Sequence, residues 1–256
     1  MEEILEQVVE KKTYETTKQL LINAELPQQT RSYKPISHNQ LIDLTLESIE
    51  KAGFILQQET YSSASNGRQA NGFYKIANVA DEEMQLEIGW QNSYDKKLSL
   101  KFAIGAKIFI CKNGIVRGDM GAFKKKHVGE IQTFTPQMIT DYISQSGEVF
   151  THIQKDRDRL KQVEISSKVR AELLGRMYFE QEIIKADQIA IIKKELINPS
   201  FNYNCPNSGW ELYNYCNFAL KDSHPANYFQ AHSDLHKFFI EDSGLLGEEV
   251  KLLEMV

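Results

Sequence analysis

Three histidines late in the chain, His224, His232 and His236, stand with Asp222 and Asp234 among them. Imidazoles and carboxylates at close spacing are the residue types that hold a transition metal. His232 and His236 are four apart, so a helix would put both rings on one face. A HExxH zinc motif also needs a glutamate directly after its first histidine, and that position is Ser233. These histidines are therefore read as surface or hydrogen-bonded side chains, and no metal or cofactor is expected. Cys111 follows Ile108-Phe109-Ile110, apolar surroundings that raise a thiol pKa, so it is read as a packed cysteine and not a nucleophile. Gly105, Gly114, Gly118 and Gly121 fit no phosphate-loop spacing, and no GxSxG elbow occurs. Asp81-Glu82-Glu83 falls in an expected turn, where carboxylates face water. With no complete catalytic set, the chain reads as non-enzymatic.

Charge gives the stronger signal. Between Lys112 and His127, Lys112, Arg117, Lys124, Lys125 and Lys126 stand against Asp119 alone, a net +4 before His127 is counted. Phe109 and Phe123 adjoin this run and Tyr94 lies upstream. Cations beside ring faces are how single strands are held, the charges on phosphates and the rings on bases. Lys155, Arg157, Arg159 and Lys161 form a second basic run, interrupted by Asp156 and Asp158. Both termini are acidic, with Glu2, Glu3, Glu6 and Glu10 at one end and Glu241, Asp242, Glu248, Glu249 and Glu254 at the other. Such termini suit docking on a basic channel of another protein.

These residues need elements to position them. Ser37-x-x-Gln40 is a capping box that opens an apolar helical series, and Gly53 closes it, predicting a helix over 38–52. Residues 1–35 read as an arm with a helical pattern followed by a polar, proline-bounded linker with little to bury. After Gly53 the apolar period becomes two, in Met84, Leu86, Ile88, Trp90 and again in Leu98, Leu100, Phe102. Those two runs are expected to form a hairpin with one buried face, and the region 54–118 to be mainly antiparallel sheet of about six strands, with Asn113-Gly114 as a tight hairpin turn. From Thr135-Pro136 a helix is expected to about residue 162, with a kink at Gly147. Further helices are expected near 167–178, 186–197, 208–221 and 225–241, the last two opened by Ser208-x-x-Glu211 and Pro225. The predicted class is α+β: a helix, an antiparallel sheet at about 54–118 and a helical C-terminal half. The expected division is 1–35, 36–134 and 135–256.

The chain has 256 residues, 41% hydrophobic, with a net charge of -5 and three cysteines, Cys111, Cys205 and Cys216. Those values exclude a disordered, collagen-like or disulfide-stapled protein, and a surface that is basic everywhere. The odd cysteines lack CxxC spacing and read as reduced thiols, two of them buried. No apolar run approaches a membrane span, and the acidic start is unlike a signal peptide, so a cytoplasmic protein of a bacterial host cell is expected.

Phe109-Ile110-Cys111-Lys112-Asn113-Gly114, a basic segment ending in His127, and Trp210-Glu211-Leu212-Tyr213-Asn214 together resemble a phage/plasmid-like family of unknown function found on bacterial mobile elements. The resemblance covers roughly residues 31–240. Val128 follows His127 where that family more often has a hydroxyl residue. It implies a mobile-element origin and no particular reaction. The element order also looks like the single-strand-annealing proteins of phages. The expected function is a non-enzymatic accessory protein that binds nucleic acid, single-stranded DNA or RNA, through Lys112, Arg117, Lys124, Lys125 and Lys126, with Phe109, Phe123 and Tyr94 stacking on bases. The alternative is an anti-defence protein that inhibits a host nucleoprotein nuclease such as a CRISPR RNA-guided effector. The sequence leaves the oligomeric state open.

Overall fold

Alternation of large apolar and polar side chains makes Met84–Ser93 a strand, and it is the centre of the fold. The computed structural model describes residues 14–31, 33–117, 136–221 and 223–247, with the backbone alone of 123–125. Among these, β1 (Glu15–Thr16), β2 (Leu56–Ala64), β3 (Gln69–Ala80), β4 (Met84–Ser93), β5 (Leu100–Ile108) and β6 (Gly114–Val116) follow one another across an antiparallel sheet, and β7 (Phe123–Lys125) also pairs with β5. β6 lies against Gly105–Lys107 and β7 against Leu100–Phe102, so the two share β5 end to end. Five of the seven strands fall in the region predicted as sheet. β1 and β7, at two and three residues, are too short to show a period.

The helices are α1 (Lys18–Ile22), α2 (His38–Lys51), α3 (Pro136–Ser144), α4 (Ser146–Gln162), α5 (Ser167–Gly175), α6 (Ala186–Ile197), α7 (Gly209–Leu220) and α8 (Pro225–Lys237). π-helical turns at 176–180 and 238–242 extend α5 and α8. The caps match the sequence signals. Ser37 Oγ accepts from Gln40 N at 3.0 Å, Ser208 Oγ accepts from Glu211 N at 3.1 Å, and Gly53 ends α2 at φ +74°. The long helix expected from Pro136 is broken at Gln145, two residues before the glycine taken as its kink.

Met84, Leu86, Ile88 and Trp90 point into a core with Leu41, Ile42 and Ile49 of α2 and Val149, Phe150 and Ile153 of α4. Trp90 is fully buried over Gly72, where a Cβ would come within 2.5 Å of the indole, and its Nε1 donates to Tyr74 Oη at 3.0 Å. The same apolar cluster continues to Trp210, Tyr213, Phe238 and Phe239, so one core joins the sheet to the C-terminal helices. The linker expected at 24–35 also takes part at its end. Tyr33 is buried and its hydroxyl donates to Ser93 O and Tyr94 O.

Two sequence expectations are corrected. Only one face of the hairpin at 84–102 was expected to be buried, but every residue of β4 is buried, because α8 lies across the polar face. Gly89 permits the approach: a Cβ there would stand 2.7 Å from the Phe229 ring. The β5–β6 turn is also not at Asn113-Gly114. The loop runs from Phe109 to Asn113, Lys112 N donates to Ile108 O at 2.9 Å, and Lys112 itself takes the positive φ, +55°. Gly114 is already in β6, paired with Lys107.

Candidate nucleic-acid interface

Most of the residues predicted to bind nucleic acid fall at the two ends of β5, with Arg117 opposite its middle. Phe109 and Lys112 are exposed in the β5–β6 loop. Lys124 and Lys125 stand opposite Lys101 and Leu100 at the other end of the strand. Seven residues of β5 at about 3.3 Å each put about 23 Å between the two groups. Arg117 is not free: its guanidinium pairs with Asp156 of α4, and the imidazole of His236 approaches the same carboxylate at 3.3 Å. Tyr94 is buried, its ring stacked on His38 at 4.0 Å and its hydroxyl accepting from His38 N at 2.7 Å, so it offers no face to a base. Lys126 and His127 lie outside the described residues, as do the side chains of Phe123, Lys124 and Lys125.

Two cations of the second basic run, Arg157 and Lys161, are also absorbed by the fold. Arg157 holds Asp81 at 2.5 Å, Lys161 pairs with Glu83, and Gln154 donates to Asp81 at 2.8 Å. The β3–β4 turn expected to face water is thus fastened to α4. Burial works against the Asp81 carboxylate, but donors from Gln154, the Glu83 and Met84 backbone and Arg157 prevail and hold its pKa below the usual range.

At the opposite end of the sheet the chain gathers cations that the sequence scattered. Arg68 in the β2–β3 turn accepts from Tyr94 N through its carbonyl at 2.7 Å, joining that turn to the β4–β5 turn with Lys96 and Lys97. Tyr33, flanked by Arg31 and Lys34, is bonded to the same turn, and Lys96 Nζ lies 4.7 Å from its ring centroid. Lys101 begins β5 beside the β7 positions of Lys124 and Lys125. Among the described residues, Arg31, Lys34, Arg68, Lys96 and Lys97 have no carboxylate within 4 Å. The nearby Asp95 is occupied by Gln69 Nε2 at 2.6 Å and Lys97 N at 3.0 Å. Sequence reasoning missed this cluster because no segment contributes more than a pair of adjacent cations.

The chemistry-bearing residues of the opening motifs have separate roles. His224 caps α8, its Nδ1 accepting from Ala226 N at 3.1 Å. His232 is buried beside Tyr228, ring centroids 4.2 Å apart. Burial, then the nearby Lys107, pushes its pKa down to about 3, so it is neutral. His236 faces Asp156 and Tyr213. The described residues hold no group of three metal-ligating side chains. Cys111 is buried, its thiol pKa raised by desolvation, and it donates to Asn214 Oδ1 at 3.9 Å while Asn113 Nδ2 donates to Asn214 O at 3.3 Å. The Cys-x-Asn run and the Trp210–Asn214 run, about a hundred residues apart, therefore meet as a buried clasp. No helix among the described residues is long and apolar enough to cross a membrane.

The fold and this polar-clasped sheet define an α+β domain for which comparison gives a class. The family described as Domain of unknown function (DUF932) matches residues 26–197, more than half of the chain, and the chain belongs to that family. The match includes β2 to β7 and the Cys-x-Asn run, begins after β1 and stops before α7 and α8. Neither the curated proteins nor the solved structures contain a match.

Proposed function

We propose that the chain binds single-stranded nucleic acid across the end of the sheet formed by the β2–β3 and β4–β5 turns, without catalysis. The observation that carries this reading is the set of cations at that end, Arg31, Lys34, Arg68, Lys96 and Lys97, free of carboxylate partners among the described residues in a chain whose net charge is -5. Cations left unpaired on an acidic protein form a local anion site, and a phosphate backbone matches several at once. The register of β7 extends the set with Lys124 and Lys125. Lys112 and Arg117 leave the proposed site, one for distance and one for its ion pair. A role as an accessory protein of a mobile element rests on the resemblance of the sequence motifs.

Fluorescence anisotropy with labelled single-stranded DNA, single-stranded RNA and duplex DNA at two salt concentrations tests the reading. Single strands are expected to bind with a steep salt dependence. Replacing Lys96, Lys97, Lys124 and Lys125 by alanine should reduce the slope of log K against log salt by about 0.7 for each phosphate no longer neutralised. No binding at low salt, with a host protein captured even after nuclease digestion, would instead favour an inhibitor of a nucleoprotein nuclease.

A further inference from the structure

The face of the sheet beneath α8 is built unlike a permanent core. It carries Asn71, Phe73 and Lys75 from β3, Gln85, Glu87 and Gln91 from β4, and Lys101 and Lys107 from β5, with Gly89, Ala103 and Gly105 between them. Amides, cations and one aromatic ring on a glycine floor are side chains suited to base edges, phosphates and a base face, and the one carboxylate among them, Glu87, is paired with Lys107 at 3.9 Å. α8 covers them imperfectly. The Pro225 carbonyl accepts from Asn71 Nδ2 at 3.0 Å and Gln91 Nε2 at 2.7 Å, and Lys101 Nζ donates to Gln230 Oε1 at 3.3 Å. Gln91 Oε1 is buried in this layer with no hydrogen-bond partner. A buried polar atom of this kind weighs against the docked state.

Over its N-terminal half the apolar contact holding α8 down is small and separate from the main core, Phe229 against Ala103 and Val116 with Phe73 and Tyr228 beside it, whereas Ala231 and Leu235 farther along the helix pack into the main core. Its C-terminal end is anchored differently, by Phe238 and Phe239 of the π-helical turn, both fully buried in the main core. A helix pinned at one end by large rings, and at the other by two amides on one carbonyl, can pivot about the pinned end. The matched family region contains the whole polar face and none of its cover.

We infer that this face is a second binding surface for single-stranded nucleic acid, closed by α8 in the free protein and opened when the N-terminal end of α8 lifts. The inference rests on the proposed function, because the strand must first be held at the adjoining cationic end, which Lys101 joins to this face. Bases then stack on Phe73 and bond to Asn71 and Gln91, while Lys75 meets a phosphate.

The full-length chain with a labelled oligothymidylate strand provides the test. Hydrogen exchange on the wild type is expected to show the α8 amides losing protection when the strand is added, while those of α2 keep theirs. Phe229→Ala, which loosens the cover, is expected to tighten oligothymidylate binding at least threefold. Binding with α8 protection unchanged and no gain from Phe229→Ala would overturn the covered surface and leave the cationic end standing. Binding by Phe229→Ala alone would support the covered surface and overturn the end as a sufficient site. Failure of both proteins to bind would overturn both readings.

Discussion

The two ends of β5 have similar cations and different outcomes. Toward the Lys107 end, Arg157 and Lys161, and opposite the middle of the strand Arg117, each find a carboxylate on a neighbouring element, and they fasten α4 to the sheet. At the Lys101 end, Arg31, Lys34, Arg68, Lys96 and Lys97 meet none among the described residues. The residue types are the same, so the difference lies in what the fold places opposite them. A cation near an internal carboxylate is part of the structure, and one without a partner is available to a ligand. The two ends should therefore respond oppositely to mutation: stability at the first, binding at the second.

The largest expected effect is at the fastened end. Asp156→Ala leaves the half-buried Arg117 without its partner and removes the group His236 approaches, and should cost about 3 kcal/mol in urea unfolding. A loss below about 0.5 kcal/mol would place Arg117 among the free cations and blur the contrast. His232 gives a pH test of the layer between α8 and the sheet. Its folded pKa, about 3, lies below the ordinary 6.5, so the unfolded chain takes up a proton that the folded chain refuses. The stability from keeping it neutral is fully present above pH 6.5 and is lost as pH falls toward 3. The slope is at most about 1.4 kcal/mol per pH unit. His232→Gln should remove that part of the acid sensitivity, measured as unfolding free energy between about pH 7 and pH 4. Arg157→Ala should cost about 1–2 kcal/mol by releasing Asp81. The depressed Asp81 pKa adds stability above the ordinary carboxylate value of 3.8 that is lost as pH falls below it, and this too should shrink in the variant.

Local signals in the sequence were accurate where one segment decides its own structure. Ser37 and Gly53 delimit α2, and the alternation at Met84–Trp90 marks β4, because a cap or a pleat depends on residues a few positions away. The signals failed where a distant segment decides. Asn113-Gly114 has the composition of a tight turn, but Asn113 is bound to the α7 backbone at Asn214, and the reversal moves to Lys112. Gln85, Glu87 and Gln91 alternate as a solvent face does, and nothing near them in sequence announces α8 as their cover. The candidate site was legible only in kind. Lysines at 124 and 125 are retained at one end of β5, but the run that contained them is divided by the length of that strand, and their companions come from three other segments.

The smallest expected effect on stability is the most informative about function. Lys96 and Lys97 are exposed in the β4–β5 turn, and the turn is held by Asp95, Ser93 and the Tyr94 backbone instead of by their ammonium groups. Lys96→Ala/Lys97→Ala should therefore change unfolding free energy by less than about 0.5 kcal/mol. Two phosphates should nevertheless go without a counter-charge, lowering the salt slope for single-stranded binding by about 1.4. Lys155→Ala, an exposed cation on α4 outside this end, should leave both quantities unchanged. An equal fall in slope in the two variants would mean that the strand responds to overall charge, and the contrast between the ends of β5 would then be one of stability alone.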